Sequence, residues 1–303
     1  MSTINLDRVR EVRATRPQAI REAAQTRRRG PRVAADGRLM LVAADHPARG
    51  ALGVRSESRA MESRRSLLER LVEALSRPGV DGVLGSADIL EDLLLLGALE
   101  GKAVFASMNR GGLLGSSFEM DDRFTAFDAE TIEAMRFDGG KMLTRINPSD
   151  AGTVSTLEAC GRAVSDLARR DLVAMIEPFM SERVDGRIKN DLTSDAVTLS
   201  MAIAGGLGAS SAYTWLKIPV VDDMERVMEA TTLPTLLLGG DPTAAPEETY
   251  AKWATAVAQP GVLGLVVGRA LLYPQDGDVT QAVDTAVSLV HANVASLNAG
   301  AGE

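Results

Sequence analysis

Lysine is scarce in this chain, five residues among 33 lysines and arginines, yet Lys141 and Lys217 both sit within aliphatic runs. The runs are Gly139-Gly140-Lys141-Met142-Leu143-Thr144-Arg145-Ile146 and Tyr213-Thr214-Trp215-Leu216-Lys217-Ile218-Pro219-Val220-Val221. An amine in apolar surroundings loses hydration, and a second cation nearby disfavours its charged form further. A neutral amine then becomes available to attack a carbonyl. The predicted chemistry is Schiff-base formation. The alternative for a strand lysine is to snorkel its head to solvent or to pair with a carboxylate.

Such lysines must be held by a repeating framework. Short aliphatic runs span 39–44, 80–84, 103–107, 141–146, 172–176, 213–221, 234–238 and 262–267. Between several of them lie segments with apolar residues at helical spacing, over 59–75, 154–170, 195–207, 246–258 and 279–297. Eight strands alternating with helices predict a closed (β/α)8 TIM barrel. The rival, an open doubly wound sheet, lacks its Gly-x-Gly-x-x-Gly turn after the first strand. Residues 1–38 are expected to form an N-terminal helical extension and residues 39–303 the barrel. The longest irregular piece, Asn109 to Asp128, is expected to be a lid or binding element.

A barrel gathers its functional groups at the C-terminal ends of its strands. Those ends carry Asp45 and His46, Ser107 and Asn109, Lys141 and Arg145, Glu177, Lys217, Gly239-Gly240, and Gly268-Arg269. The two glycine turns follow the last two strands, where barrels bind phosphate. Glycine lets backbone N–H groups approach an anion closely, and Arg269 can grip two oxygens at once. A phosphorylated small molecule is therefore the expected partner.

Bulk properties narrow the class. A net charge of −8 and a pI near 5.0 argue against a nucleic-acid partner. The arginine-rich start, Arg8, Arg10, Arg13, Arg16, Arg21 and Arg27–Arg29, is interrupted by Asp7, Glu11 and Glu22, unlike a transit peptide. The longest apolar stretch, around Leu93–Leu96, falls far below the roughly 20 residues a bilayer requires, so no membrane partner is expected. A single cysteine, Cys160, cannot make an internal disulfide, and its helical pattern marks it as a core residue. The cytoplasm fits these features.

Several motifs resemble the class I aldolases, the group that includes the tagatose-bisphosphate, sulfofructose-phosphate and archaeal-type fructose-bisphosphate enzymes, with deoxyribose-phosphate aldolase more distant. Ala43-Ala44-Asp45-His46-Pro47-Ala48-Arg49-Gly50-Ala51-Leu52 is similar to their first-strand motif, and Leu216-Lys217-Ile218-Pro219 to their sixth-strand motif. The resemblance implies an imine on Lys217, a second lysine at Lys141, an acid/base carboxylate at Glu177 and substrate binding by Asp45. It also implies a phosphate cradle from Gly239, Gly240, Gly268 and Arg269, and no cofactor. His46, Asn109 and Arg145 are further candidates for substrate binding. A closer resemblance is to actinobacterial barrel proteins encountered alongside myo-inositol breakdown enzymes, which implies cleavage of 2-deoxy-5-keto-gluconate 6-phosphate. The chain departs from the tagatose-type pattern at His46-Pro47 and in the 109–128 loop, and lacks the Lys-Thr-Ser run of deoxyribose-phosphate aldolases. A homo-oligomer is expected.

Three alternatives remain at this level. Lys141 is itself a possible imine former, as in transaldolase-like barrels. A magnesium-dependent lyase would use Asp45, Glu177, Glu119, Asp121 and Asp122, the chain having only His46 and His291 as imidazoles. A non-catalytic barrel would keep only the phosphosugar site.

Overall fold

The computed structural model describes residues 4–109, 112–240 and 245–291. Helices α1 (Leu6–Thr15) and α2 (Ala19–Thr26) precede the first strand. Arg13 of α1 reaches Asp92 at 2.8 Å and Glu91 at 2.9 Å, which docks α1 on the barrel's outer layer. The connection that follows runs under the barrel, where Arg29 pairs with Asp138 at 2.6 Å and Val33 packs against residues lining the barrel interior.

From there the chain alternates as expected. The order is β1 (Leu39–Ala44), a short 3-10 turn (Pro47–Arg49), α3 (Arg64–Ser76), β2 (Gly82–Gly85), α4 (Ala87–Leu95), β3 (Ala103–Ser107), α5 (Ala129–Ala134) and β4 (Gly139–Ile146). It continues through α6 (Gly152–Ala168), β5 (Val173–Val184), β6 (Arg187–Asn190), α7 (Ser194–Gly205), β7 (Thr214–Pro219) and α8 (Met224–Glu229). It ends with β8 (Thr235–Leu238), α9 (Pro246–Val257), β9 (Val262–Val267), α10 (Arg269–Leu272) and α11 (Val279–His291). Eight parallel strands close on themselves in the order β1-β2-β3-β4-β5-β7-β8-β9, with β9 pairing back to β1. This is a (β/α)8 barrel.

Local signals account for the elements. Ser63 accepts from the Ser66 N–H to start α3, whose Leu67, Leu68, Leu71 and Leu75 recur on one face and are buried. Burying each such leucine contributes roughly 2 kcal/mol. Thr193 caps α7 in the same way, and Pro246 opens α9 at its first turn. Asp223 stands at the start of α8 with φ 55°, and its carboxylate pairs with Arg226 at 3.0 Å instead of capping the helix.

The strand pattern differs from expectation at β5. The fifth aliphatic run continues past Ile176 to Val184 and turns back antiparallel as β6, pairing Ser181 with Asn190 and Val184 with Arg187. Asp185 and Gly186 make the turn with φ 51° and 76°, the left-handed pair that a two-residue hairpin demands. This hairpin is an addition to the eight-strand plan.

Candidate active site

Alternation along each strand sorts its side chains to two sides. Met142 and Thr144 face outward, where the Thr144 hydroxyl meets Cys160 of α6 at 3.2 Å, while Lys141, Leu143 and Arg145 line the interior. Cys160 is buried and its thiol is pushed up to about 12, chiefly by desolvation, which makes it a core residue. Phe105, Met175 and Trp215 fill the barrel interior, with the Phe105 and Trp215 rings 5.9 Å apart. Ile176 of β5 is in register with Leu216 of β7, both outward, so the next residues, Glu177 and Lys217, enter the barrel at one height. Lys141 pairs with Met175 one inward layer lower on the other flank of β5, and its long stem reaches up.

The consequence is one connected polar network in an apolar surround. The Glu177 carboxylate bridges the two lysines, accepting from Lys217 Nζ at Oε1 and pairing with Lys141 Nζ at Oε2. Lys141 Nζ also donates to Asp45 Oδ2 at 3.2 Å. Lys141 is 2% exposed, Asp45 3%, Lys217 6% and Glu177 8%. Burial by itself would raise the Glu177 pKa, but the ammonium groups of Lys141 and Lys217 outweigh it and hold the carboxyl well below the usual range. Glu177 is therefore a fixed anion in the resting network. His46 stands beside Asp45, its Nδ1 3.8 Å from Asp45 Oδ1. Desolvation, with Arg269 and Lys217 nearby, pushes the imidazole down to about 3, so it is neutral at physiological pH.

These groups open into a cavity of about 790 Å³ at the C-terminal mouth. Its wall includes Asp45, His46, Lys141, Arg145, Glu177 and Lys217, together with Gly239, Gly240, Gly268 and Arg269. The glycines are required there. Gly240 has φ 70°, and a Cβ on Gly268 would stand 2.5 Å from the Ala43 carbonyl oxygen. Lys141 lines this cavity with its Nζ joined to Asp45 and Glu177.

Four of the chain's five lysines line the cavity, because Lys189 of β6 and Lys252 of α9 join Lys141 and Lys217. Lys189, Lys252, Trp253 and Arg49 are not marked as site residues by the sequence, and Glu119 is marked only as a ligand in the magnesium-dependent alternative. The Asp185-Gly186 hairpin signal could have placed Lys189 over the mouth. Arg49 lies inside the quoted first-strand motif, four residues past Asp45. No local signal marks Lys252 or Trp253, which reach the cavity from the face of a helix.

Asn109 and Arg145 have other partners. Asn109 is fully buried; its Nδ2 donates to the Leu143 carbonyl at 2.5 Å and the Asp122 carbonyl at 3.1 Å, and its Oδ1 accepts from Leu143 N–H at 2.8 Å. It is absent from the cavity wall. Arg145 forks onto Asp122 at 2.9 and 2.7 Å and meets Glu119 Oε1 at 3.0 Å. The described part of the 109–128 loop is thus fastened to β4, and Glu119 and Asp122 are engaged by Arg145 while Asp121 pairs with Arg123 at 2.6 Å. Among the described residues, no three His, Cys, Asp or Glu side chains converge as metal ligands.

Comparison with known proteins agrees with this architecture. The crystal structure of Cgl0159 from Corynebacterium glutamicum is 55% identical, with a TM-score of 0.93 over 95% of this chain and 97% of that one. The Schiff base forming fructose-1,6-bisphosphate aldolase is similar in fold at 20% identity, with a TM-score of 0.64 over 90% of this chain and all of that one. An archaeal fructose 1,6-bisphosphate aldolase is similar at 19% identity, with a TM-score of 0.63 over 90% of this chain and 99% of that one. No curated protein sequence matches the chain significantly. The family model described as Cgl0159-like matches residues 37–287, and the chain belongs to that family.

Proposed function

We propose that the protein is a class I aldolase that cleaves a carbon–carbon bond of a phosphorylated keto-sugar or keto-sugar acid through an imine on Lys217. The observation that carries the reading is the buried Lys217–Glu177–Lys141–Asp45 network opening into the cavity that Gly239, Gly240, Gly268 and Arg269 also line. Fold likeness to Schiff-base aldolases is consistent with it.

In this reading the phosphate lies on the two glycine turns and Arg269, and Asp45 holds substrate hydroxyls beside the imine. Lys217 loses one proton to solvent at the open mouth, its lone pair adds to the ketone, and a second proton passes from the nitrogen to the former ketone oxygen to form a carbinolamine. Lys141 donates the proton with which the hydroxyl departs as water, leaving the iminium. Glu177 then takes the proton of the hydroxyl on the far carbon of the bond to be broken, directly or through water. That hydroxyl becomes the aldehyde carbonyl, the carbon–carbon bond breaks, and its electron pair flows into the iminium to give an enamine. Protonation of the enamine carbon and addition of water release the ketone product and restore Lys217. Glu177 becomes more basic once Lys141 has given up its proton, since one of its two neighbouring cations is then gone.

The substrate this reading favours is 2-deoxy-5-keto-gluconate 6-phosphate, acted on by a cytoplasmic homo-oligomer in inositol breakdown. Screening phosphorylated keto-sugars and keto-sugar acids for release of dihydroxyacetone phosphate or malonate semialdehyde tests the substrate. Borohydride trapping with a turned-over substrate, followed by peptide mapping, tests the imine. Lys217 should carry the adduct, whereas a modified Lys141 beside an unmodified Lys217 would reverse their roles. Activity lost to EDTA but indifferent to borohydride would replace the imine by a metal-assisted reaction.

A further inference from the structure

The cavity wall carries seven lysine and arginine side chains against three carboxylates, in a chain whose net charge is −8. Asp122, standing behind Arg145, brings the local count to seven against four. A phosphate monoester supplies about two negative charges at neutral pH. The excess of three therefore calls for another anion beside the phosphate.

The arrangement around Glu119 indicates where that anion goes. Arg145 is 3% exposed, and the Asp122 fork and Glu119 Oε1 at 3.0 Å complete its surroundings. The same Glu119 oxygen stands 3.6 Å from Arg49 Nη2, a longer and weaker contact. Arg49 lines the cavity with 17% of its side chain accessible, and its Nε is fixed by the Gly112 carbonyl at 3.0 Å. Burial and the neighbouring Arg145 charge lower its pKa from the ordinary value, the mark of an undercompensated cation. Glu119 comes from the loop after β3, and β3 is four strands round the eight-stranded barrel from β8, which carries the Gly239-Gly240 turn. Arg49 itself follows β1, beside β9, and meets Glu119 over Arg145 of β4, three strands round the barrel from β8.

We propose that Arg49 reads a carboxylate at the end of the substrate remote from its phosphate, and that Glu119 of the loop holds this place until the substrate's carboxylate takes it. The inference rests on the phosphate reading above and narrows the substrate to a phosphorylated sugar acid. A guanidinium fork matches a planar carboxylate, and Glu119 already presents that group to it. Exchange of one carboxylate for the other costs no net charge, and it frees the Glu119 side chain while the Gly112 carbonyl still holds Arg49 Nε and Asp122 keeps the loop on Arg145.

The test is calorimetric titration of the whole protein with three acyclic six-carbon ligands that have no ketone and so cannot form an imine. These are glucitol 6-phosphate, 6-phosphogluconate and glucitol 1,6-bisphosphate. Wild type should bind 6-phosphogluconate on the order of ten-fold more tightly than glucitol 6-phosphate, the size of one charge-assisted contact. Arg49→Gln should abolish that difference and leave glucitol 6-phosphate affinity intact, which also reports correct folding. Glu119→Gln, which can still accept from Gly115 N–H, should strengthen 6-phosphogluconate binding several-fold by removing the competing carboxylate. Equal wild-type affinities for the first two ligands would overturn the inference alone. Tighter binding of the bisphosphate with the same dependence on Arg49 would overturn the assignment to a carboxylate. No binding of any ligand would overturn the phosphate reading beneath it.

Discussion

Glu177 is a carboxylate with two ammonium groups and almost no water, and each member of such a cluster is stable only while the others neutralise it. Its folded pKa lies below the unfolded value of 4.5, so its contribution to stability is complete above about that pH and is lost as pH falls through the folded value. Glu177→Gln removes the carboxylate that neutralises two buried lysines and leaves Asp45 against Lys141. It should cost about 3 kcal/mol in denaturant unfolding at neutral pH and flatten the acid limb of the stability curve. Lys141→Met removes one cation and the contact to Asp45 while preserving an apolar stem. Turnover should fall on the order of 10²-fold or more with circular dichroism unchanged, and wild-type turnover would remove Lys141 from the reaction.

The elements carrying these residues are held by side chains that extend the backbone ladder. Regular pairing of β3 with β4 ends at Ser107 and Lys141, and the Asn109 amide then takes over by bonding both the N–H and the carbonyl of Leu143. Leu143 lies between Lys141 and Arg145, so Asn109 positions the strand that bears them. Asn109→Ala strands a buried N–H and should cost roughly 2 kcal/mol, with kcat reduced more than KM because the lysine is displaced rather than the phosphate cradle. An unaltered unfolding midpoint would show that the strand holds its place without the amide. The β5–β6 hairpin is a separate device that carries Lys189 to the mouth, and Arg183 ties it to the loop through the Ser117 carbonyl at 3.0 Å.

At the scale of the whole molecule, the last described helix is tied to the floor of the barrel by one imidazole. His291 Nδ1 is 2.7 Å from Asp36 Oδ2, just before β1, and Nε2 is 3.2 Å from Asp81 Oδ2, just before β2. Its bond to Asp81, together with Asp36, raises its pKa from 6.5 to about 9 despite partial burial. The folded pKa exceeds the unfolded one, so this stabilisation is full below pH 6.5 and is lost as pH rises through about 9. Thermal unfolding should show an alkaline decline of about 1–2 kcal/mol once solvent screening is allowed for, and His291→Gln should remove that decline while lowering stability at pH 6. A variant with the wild-type alkaline limb would assign the decline to other groups. The site is at the opposite face, so turnover per folded molecule should not change.

Several features follow from the chain's local chemistry alone. Aliphatic runs alternating with helical periodicity specify a parallel barrel because both faces of each strand must be buried, and a strand's period of two sends Lys141 and Lys217 inward wherever their apolar neighbours face the helices. Glycine after the last two strands was equally legible, since only glycine fits those turns. Partner choice was not. Glu177 can bridge two lysines only once β4 and β7 flank β5 in one register, and Arg145 is captured by acids more than twenty residues earlier in the chain. Such pairings depend on how loops close over a finished barrel, and ionic contacts between distant segments leave no periodic trace in either one.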